Sequence, residues 1–338
     1  MKKAILLTNL GSPDSTEVKD VRKYLNEFLM DERVIDIPYL VRSLLVKGII
    51  VPFRAPKSAA KYKTIWTKDG SPLVHTTSLL TELVASETNL PTYFCMRYAN
   101  PTPDVVLTKI TSENPDLEEL IVVPLYPHYA MSSYETAVEH IKMSYQKGGF
   151  TFKLSVVPPF YQDEKYIEAL AASIQPFLEH QYDHVLFSYH GIPERHVKKT
   201  DITKSHCLMV NDCCNKSSEA HKYCYRHQVK TTTEKAAEVL KLPKEKYSFS
   251  FQSRLGADAW LKPFTVEELQ RMPKAGIKKL LVLSPAFVSD CLETLEEIHV
   301  EGKEDFLKAG GEIFDVVPCL NTNEQWVKTI HHLIEQAQ

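Results

Sequence analysis

Short apolar runs alternate along the chain with segments of helical periodicity. The runs include AILLTNLG, LIVVPLYP, HVLFSYHG and KKLLVLSPAF. Between them lie segments such as STEVKDVRKYLNEFLMD, in which Val18, Val21, Leu25 and Phe28 recur at helical spacing and Ser15 or Thr16 is placed to cap the helix. Alternating β and α elements predict parallel sheets that helices cover on both faces.

The alternation starts a second series near His184, which predicts an α/β protein of two Rossmann-like domains. Each domain is expected to hold a roughly four-stranded parallel sheet, with the active site in the cleft between the domains. We place the domains at residues 1–160 and 161–338. The last segment, NEQWVKTIHHLIEQA, predicts a helix that crosses back to the first half.

Reactive side chains concentrate where the predicted strands end, which is where parallel α/β sheets bind ligands. His190 ends one strand before a Gly-Ile-Pro turn, so it is either a structural histidine or a proton acceptor or metal ligand. The other residues at these ends are Leu10, Arg97, Tyr98, Tyr126, Ser253, Asp290 and Glu293.

Glutamates recur every four residues after the strand KKLLVLSPAF. Glu293, Glu297 and Glu301 are predicted to share one helix face, whereas Glu296 points elsewhere. A solvated acidic face explains this spacing, and so does a row of carboxylates that leads a divalent cation to the cleft.

Composition excludes several functional classes. The net charge of −3 argues against a general nucleic-acid binder, and neither G-x-G-x-x-G nor a Walker loop occurs. The start, MKKAILLTNLGSPD, predicts a strand rather than a signal peptide, and no apolar run is long enough for a transmembrane helix. We therefore expect a cytoplasmic protein with reduced thiols. Four of its seven cysteines lie together, which indicates metal binding rather than disulfides: Cys207, Cys213, Cys214 and Cys224.

Residues 39–63, called the lip below, combine apolar runs with six cations and no acid. The cations are Arg42, Lys47, Arg54, Lys57, Lys61 and Lys63. One interpretation is an amphipathic helix whose apolar face joins the core. The other is a surface that touches an anionic membrane or an anionic apolar ligand.

The chain resembles the ferrochelatase family, which inserts ferrous iron into a porphyrin to make haem. The resemblance rests on LLTNLGSPD, YKTIWTKDGSPL, MRYANP, PLYPHY, FSYHGIPERHVKKTD, SFQSRLGADAWLKPFT and VSDCLETLEEIHVEG, which occur in family order over nearly the whole chain. It implies that His190 takes pyrrole protons or meets the metal, with Asp290 supporting it. Glu293, Glu297 and Glu301 would handle the iron. Its implied porphyrin contacts are Leu10, Arg97, Tyr98, Tyr126, Ser253 and Trp260.

The resemblance also implies the reaction. We expect insertion of ferrous iron into protoporphyrin IX, with coproporphyrin as the alternative substrate. Rival interpretations are a porphyrin or haem carrier without catalysis and a cobalt or nickel chelatase for another tetrapyrrole. Many relatives have a histidine where this chain has Cys291, so we expect no essential imidazole at that position.

The four clustered cysteines lie in a segment that is short in many relatives. Some bacterial members of the family carry such an insertion with a [2Fe–2S] cluster, which implies that cluster here. Animal-type members use a C-terminal cysteine group, but this chain ends in IEQAQ, and Met131 stands at the presumed internal position. Four thiolates also suit structural zinc, so zinc or no metal remain alternatives. His206, His221 and His227 are the substitute ligands.

Overall fold

The structure is a computed structural model that describes residues 2–254, 256 and 258–337. Met1, Gln338 and two residues of the motif SFQSRLGADAWLKPFT, Leu255 and Ala257, lie outside the described residues. Within the described part, two four-stranded parallel sheets have the orders β2-β1-β3-β4 and β6-β5-β7-β8, which confirms the predicted fold. The strands are β1 (Lys3–Asn9), β2 (Thr92–Met96), β3 (Glu119–Pro124), β4 (Lys153–Val156), β5 (His184–His190), β6 (Tyr247–Gln252), β7 (Lys279–Leu283) and β8 (Ile313–Val316).

Helices connect the strands and cover the sheets. The α-helices of the described residues are α1 (Val18–Leu29), α2 (Tyr39–Leu45), α3 (Val51–Ile65), α4 (Pro72–Thr88), α5 (Pro103–Glu113), α6 (Thr136–Gly148), α7 (Glu164–Ile174), α8 (Glu194–Thr200), α9 (Tyr225–Val239), α10 (Thr265–Arg271), α11 (Lys303–Lys308) and α12 (Glu324–Gln336). The chain is π-helical at Val46–Ile50, Met131–Glu135 and Glu293–Gly302. Short 3₁₀ turns occupy Gln175–His180, Glu219–Tyr223, Lys244–Lys246 and Pro273–Ala275.

The first sheet is buried on both faces, as its apolar runs predict. Along β1, Ile5 and Leu7 belong to one apolar core, whereas Ala4 and Leu6 belong to the core on the opposite face. Successive strand residues point to opposite faces of a sheet, so a continuous apolar run is what a strand with two buried faces requires.

One apolar core joins the two halves. It contains Leu80 and Val84 of α4 together with Trp326 and Leu333 of α12. The C-terminal helix thus packs against a helix of the first half. The division of the chain at residue 160 stays a prediction.

Helix α1 begins differently from the prediction. Its first residue is Val18, and Glu17 precedes it without a capping side-chain bond. Ser15 instead accepts a bond from the Glu17 amide and donates one to Asp20. The serine therefore orders the turn before the helix, and the predicted cap at Ser15 or Thr16 is wrong.

The lip has both a buried and an exposed face. Its buried face includes Val46, Val51, Ala55 and Tyr62, which pack against α1. Its exposed apolar residues are Tyr39, Leu40, Val41, Leu44, Ile49 and Phe53. No helix within the described residues combines the length and apolarity needed to cross a membrane.

Two cations of the lip are not free surface charges. Arg42 is buried and donates hydrogen bonds to the carbonyls of Ile35 and Ile37, both at 3.0 Å. Lys61 forms ion pairs with the carboxylates of Glu296 and Glu301 in the second half. Of the six cations of the lip, four are exposed, namely Lys47, Arg54, Lys57 and Lys63.

Candidate active site

The candidate site is a cleft between helices α1 and α3 and the second half. Leu10 and Tyr98, which follow β1 and β2, pack in the same apolar cluster as Leu292 of the second half. Lys61 of α3 forms ion pairs with the segment that starts at Glu293. The carboxyl ends of strands from both sheets therefore meet at this cleft, as expected for parallel α/β folds.

His190 ends β5, and its neighbours fix its ring. Its Nδ1 lies 2.6 Å from the carbonyl oxygen of Gly191. A carbonyl only accepts hydrogen bonds, so Nδ1 carries the proton and the free lone pair is on Nε2. The Tyr225 hydroxyl donates to the His190 carbonyl at 2.9 Å. This arrangement leaves Nε2 able to accept a proton or bind a metal.

The burial of His190 favours a neutral ring. Burial lowers the pKa of His190 below its usual 6.5, and Arg54 of the lip lowers it further. The nearby Glu293 carboxylate and the bond to Gly191 act in the opposite direction. A neutral imidazole next to a carboxylate can take up a proton at neutral pH, and the carboxylate then stabilises the imidazolium.

The glutamates after β7 lie on a π-helix, Glu293–Gly302, and not on the α-helix that their spacing predicts. Backbone hydrogen bonds in a π-helix join residues five apart, which brings such residues onto one face. Glu296 and Glu301 accordingly share the ammonium of Lys61, at 3.0 and 2.7 Å. The prediction that Glu296 points away from Glu301 is therefore wrong, because one lysine binds both carboxylates. The role of Glu301 toward the substrate iron stays a prediction.

Glu293 and Glu297 form the inner part of this acidic segment. The Ser253 hydroxyl donates to the Glu297 carboxylate at 2.5 Å, and the Gln252 amide donates to the Glu293 backbone carbonyl at 3.3 Å. Burial raises the pKa of Glu297, and the charge of Glu293 raises it further, whereas Ser253 opposes the shift. Glu297 therefore keeps a proton to higher pH than an ordinary carboxyl.

Asp290 does not support His190 in the way that the resemblance implies. Its carboxylate accepts hydrogen bonds from the Asn321 amide at 2.6 Å and from the Thr294 hydroxyl at 3.0 Å. The Cys319 amide also points to it, at 3.4 Å. These bonds fix the start of the acidic segment, so Asp290 orients the glutamates rather than the imidazole.

Arg97 and Tyr98 bind a buried carboxylate beneath the cleft. Arg97 forms an ion pair with Asp31, and the Tyr98 hydroxyl donates to the same carboxylate at 2.8 Å. Thr136 contacts both Arg97 and Asp31. Tyr98 is fully buried, so in this structure it supports the pocket from within the core and does not line it.

The remaining predicted porphyrin contacts lie around the strand ends. Leu10, Ser253 and Trp260 are half-buried, and Tyr126 is buried with a hydroxyl that has no hydrogen-bond partner among the described residues. The Trp260 ring comes within 3.3 Å of the position that a Cβ would occupy on Gly191. A glycine after His190 thus allows the indole to pack against the backbone there. The porphyrin-binding roles of Leu10, Tyr126, Ser253 and Trp260 stay predictions.

The clustered cysteines come together in the structure. All four thiols are buried and none is in a disulfide. Cys224 contacts Cys207 and Cys214, and Cys214 contacts Cys213. The contact with Cys224, followed by burial, raises the pKa of Cys214. The pKa of Cys224 is also raised, first by its contact with Cys207. Among the described residues, no group of three or more His, Cys, Asp or Glu is arranged to hold a metal ion.

Three histidines surround this cysteine loop (residues 206–224) but point to its backbone. His206 and His221 place Nε2 at 2.8 and 3.0 Å from the Cys213 carbonyl. His227 places Nδ1 at 3.0 Å from the Cys214 carbonyl. Each histidine thus binds the loop backbone through one ring nitrogen, and its role as a substitute ligand stays a prediction.

Sequence reasoning missed three residues that the site depends on. Asp31 lies in LMDERV directly before Glu32 and Arg33, and nothing in this charged stretch marks it as the buried carboxylate. Lys61 resembles the other cations of the lip, and only the fold selects it. Tyr225 follows Cys224 directly, but nothing in the sequence connects it with His190.

Known proteins resemble this chain over nearly its whole length. The family model described as Ferrochelatase matches residues 2–338. A protein of Opitutus terrae named Ferrochelatase is 51% identical over 328 residues, covering 96% of this chain and 94% of that protein. One of Pseudomonas fluorescens SBW25 with the same name is 45% identical over 336 residues, covering 99% and 98%. Among solved structures, SirB from Bacillus subtilis with Fe³⁺ has a TM-score of 0.55 at 13% identity, covering 100% of this chain and 96% of that one, a likeness in fold alone.

Proposed function

The chain belongs to the ferrochelatase family, and we propose that its cleft binds protoporphyrin IX and inserts ferrous iron to form protohaem. The observation that carries this proposal is the geometry of His190 at the end of β5, where the bond from Nδ1 to the Gly191 carbonyl leaves a free lone pair on Nε2. The reaction is that of a lyase in haem biosynthesis, with the porphyrin and the iron as its substrates.

Proton removal falls to His190 in this proposal. A free-base porphyrin carries two N–H protons that must leave before iron binds, and a base near the ring centre is required. Bending the ring exposes the nitrogens to one face at a cost of about 1–5 kcal/mol, which binding elsewhere supplies. Glu293 stabilises the resulting imidazolium, and the raised pKa of Glu297 suits it to pass protons outward.

Iron handling falls to the acidic segment. Glu293, Glu297 and Glu301 offer oxygen ligands, which suit a divalent iron that arrives hydrated. Weak contacts are what the reaction needs, because iron must leave the protein for four pyrrole nitrogens.

The lip supports protoporphyrin over coproporphyrin as the substrate. Protoporphyrin has two propionates and two apolar vinyl groups, whereas coproporphyrin has four propionates. Exposed apolar side chains dominate the rim of the lip, including Leu40, Leu44 and Phe53. Arg54, which acts on the charge of His190, is a cation near the cleft that suits a propionate.

Anaerobic insertion assays with ferrous iron and each porphyrin test the assignment. We expect protohaem formation with a higher kcat/KM for protoporphyrin. Preference for coproporphyrin would transfer the assignment to that substrate. Porphyrin binding without insertion would indicate a carrier, and insertion of cobalt or nickel but not of iron would indicate another chelatase.

We also propose that Cys207, Cys213, Cys214 and Cys224 hold a [2Fe–2S] cluster. Four buried thiols in mutual contact match the number of ligands that this cluster needs. The raised pKa values of Cys214 and Cys224 mean that assembly must release protons from these thiols. The cluster would supply structural cross-linking of the loop, since His190 and the glutamates account for iron insertion.

Iron and sulfide analysis of anaerobically purified protein tests the cluster. We expect two iron and two sulfide per chain and a visible absorption that is lost in Cys213→Ser. Cys95→Ala, which removes a buried thiol of β2, is the control that should keep the absorption. A colourless protein with one zinc per chain would show that the cysteines hold zinc and not an iron–sulfur cluster. A metal-free protein would exclude both.

The exposed face of the lip is proposed to dock on anionic lipid. Its apolar side chains stand beside four exposed cations, and each cation near such a surface contributes about 1 kcal/mol. Sedimentation with vesicles containing phosphatidylserine should show salt-sensitive binding that is weakened in Leu40→Ser/Leu44→Ser. Val105→Ser alters an equally exposed residue of α5 and should change nothing. Absence of binding at low salt would refute the docking.

A further inference from the structure

Lys61 links the two halves of the cleft through charge. It belongs to α3, and its ammonium lies 2.7 Å from the Glu301 carboxylate and 3.0 Å from that of Glu296. The two partners differ in exposure, because the Glu296 side chain is 10% exposed and that of Glu301 is 51% exposed. One contact is thus anchored in the protein interior, whereas the other is open to solvent.

The anchored contact keeps Lys61 in place. A buried carboxylate without a counter-ion is strongly destabilising, so Glu296 needs this ammonium. The outer contact with Glu301 is half-exposed, and such pairs contribute at most about 1 kcal/mol. Lys61 can therefore release Glu301 while it stays bound to Glu296.

Glu301 also faces the space through which a cation would arrive. Together with Glu297, Ser253 and Asp305, it lines a cavity of about 280 Å³ beside the acidic segment. Three carboxylates line this cavity together with Arg254, and carboxylate oxygens are suitable ligands for divalent cations. The Lys61 ammonium already neutralises part of the negative charge at Glu301.

We propose that Lys61 is a resident counter-ion which the incoming divalent cation displaces from Glu301. It is a positioning residue that keeps the acidic segment from holding iron too tightly, so that iron passes on to the porphyrin. The proposal rests on the proposed function, since it assumes that iron travels along Glu301 and Glu297. Its consequence is that removing the ammonium tightens cation binding and slows turnover.

A paired substitution isolates this effect. Lys61→Met alone leaves Glu296 buried without a counter-ion, and the chain then risks unfolding. Lys61→Met combined with Glu296→Gln removes the buried pair together and leaves Glu301 as the only carboxylate that has lost a partner. Lys63→Met is the control, because it removes an exposed cation of the same helix.

Calorimetric titration of the porphyrin-free protein with Co²⁺ measures the affinity directly. We expect the double variant to bind Co²⁺ about two- to five-fold more tightly than the wild type, as the modest strength of the Lys61–Glu301 pair implies. Adding Glu301→Gln should abolish the gain, and Lys63→Met should leave the affinity unchanged. In iron insertion, the double variant should have a lower KM for iron and a lower kcat, with an unchanged KM for porphyrin.

The outcomes separate this proposal from the assigned function. Unchanged or weaker Co²⁺ binding in the double variant overturns the role of Lys61, even when the wild type inserts iron normally. A gain that persists after Glu301→Gln also overturns it, because the displaced contact would then lie elsewhere. A wild-type chain that inserts no iron into any porphyrin refutes the proposed function itself.

Discussion

Removing one hydroxyl group, in Tyr225→Phe, tests how His190 is positioned. Gly191 bonds Gln252 of β6 through its amide, so the preceding carbonyl, that of His190, points toward the β7 side. Pairing with β7 ends at Phe187, which leaves this carbonyl without a strand partner. The Tyr225 hydroxyl donates a hydrogen bond to this carbonyl oxygen instead, at 2.9 Å.

The expected cost follows from that geometry. A carbonyl that loses its buried hydrogen bond costs about 1–3 kcal/mol, and the ring of Tyr225 stays to fill the space. If His190 moves so that its carbonyl recovers a hydrogen bond, its Nε2 leaves the reactive position. When the same ~1–3 kcal/mol is added to the activation free energy, kcat falls by up to about 100-fold. We expect an unchanged KM for porphyrin, because the side chains that face the ring are untouched.

Anaerobic insertion kinetics and urea unfolding should be measured on Tyr225→Phe and on a matched control. Tyr189→Phe also removes a buried hydroxyl bond to α9, at 2.9 Å from Thr233, but does not touch the His190 carbonyl. Both variants should lose similar stability, and only Tyr225→Phe should lose turnover. Equal losses of kcat in the two variants would refute the reasoning.

Two further substitutions check the chemistry and the backbone of the cleft. His190→Ala should reduce kcat by about 10²–10⁴-fold while porphyrin binding, followed by fluorescence quenching, persists; near-normal turnover would exclude the histidine as the base. Gly11→Ala should lower the free energy of unfolding by about 2 kcal/mol or more, because Gly11 has φ +102° and an added Cβ would lie 1.9 Å from the Tyr98 carbonyl oxygen. Gly48→Ala, where an added Cβ meets nothing within 4 Å, is its control in denaturant unfolding, and equal losses would contradict the clash.

The fold was predictable because its signal is repeated. The central strands, β1, β3, β5 and β7, contain the longest apolar runs, and helical segments lie between them, so errors in one element do not alter the class. Local boundaries were less predictable. Ser15 and Thr16 look like caps, but Ser15 bonds Asp20 and the helix starts after Glu17.

The site was predictable only where a residue acts through its position at a strand end. His190 and Glu293 have such positions, and the structure brings Glu293 close enough to raise the pKa of His190 against the effect of burial. Asp290 and Lys61 could not be assigned, because their partners are chosen by tertiary contacts. The π-helical turn, which sequence spacing does not reveal, decides that Glu296 and Glu301 share one lysine.

The raised pKa of Glu297 predicts a specific dependence of stability on pH. In the folded chain the pKa is about 7, against 4.5 for the free side chain, because burial and the charge of Glu293 disfavour the carboxylate. Between these values the native state binds the proton and the unfolded state does not, so the free energy of unfolding falls as pH rises from about 4.5 to 7. The shift corresponds to at most about 3 kcal/mol.

Glu297→Gln cannot ionise, so its stability relative to the wild type should rise across this window and stay level below it. Glu304→Gln, which alters a carboxylate of α11 with a lowered pKa, should give no slope there. Urea unfolding of the metal-free proteins between pH 4 and 8 measures both differences. A flat difference for Glu297→Gln would mean that its carboxylate is stabilised by the Ser253 hydroxyl and is already ionised at neutral pH, which would remove it as a proton carrier.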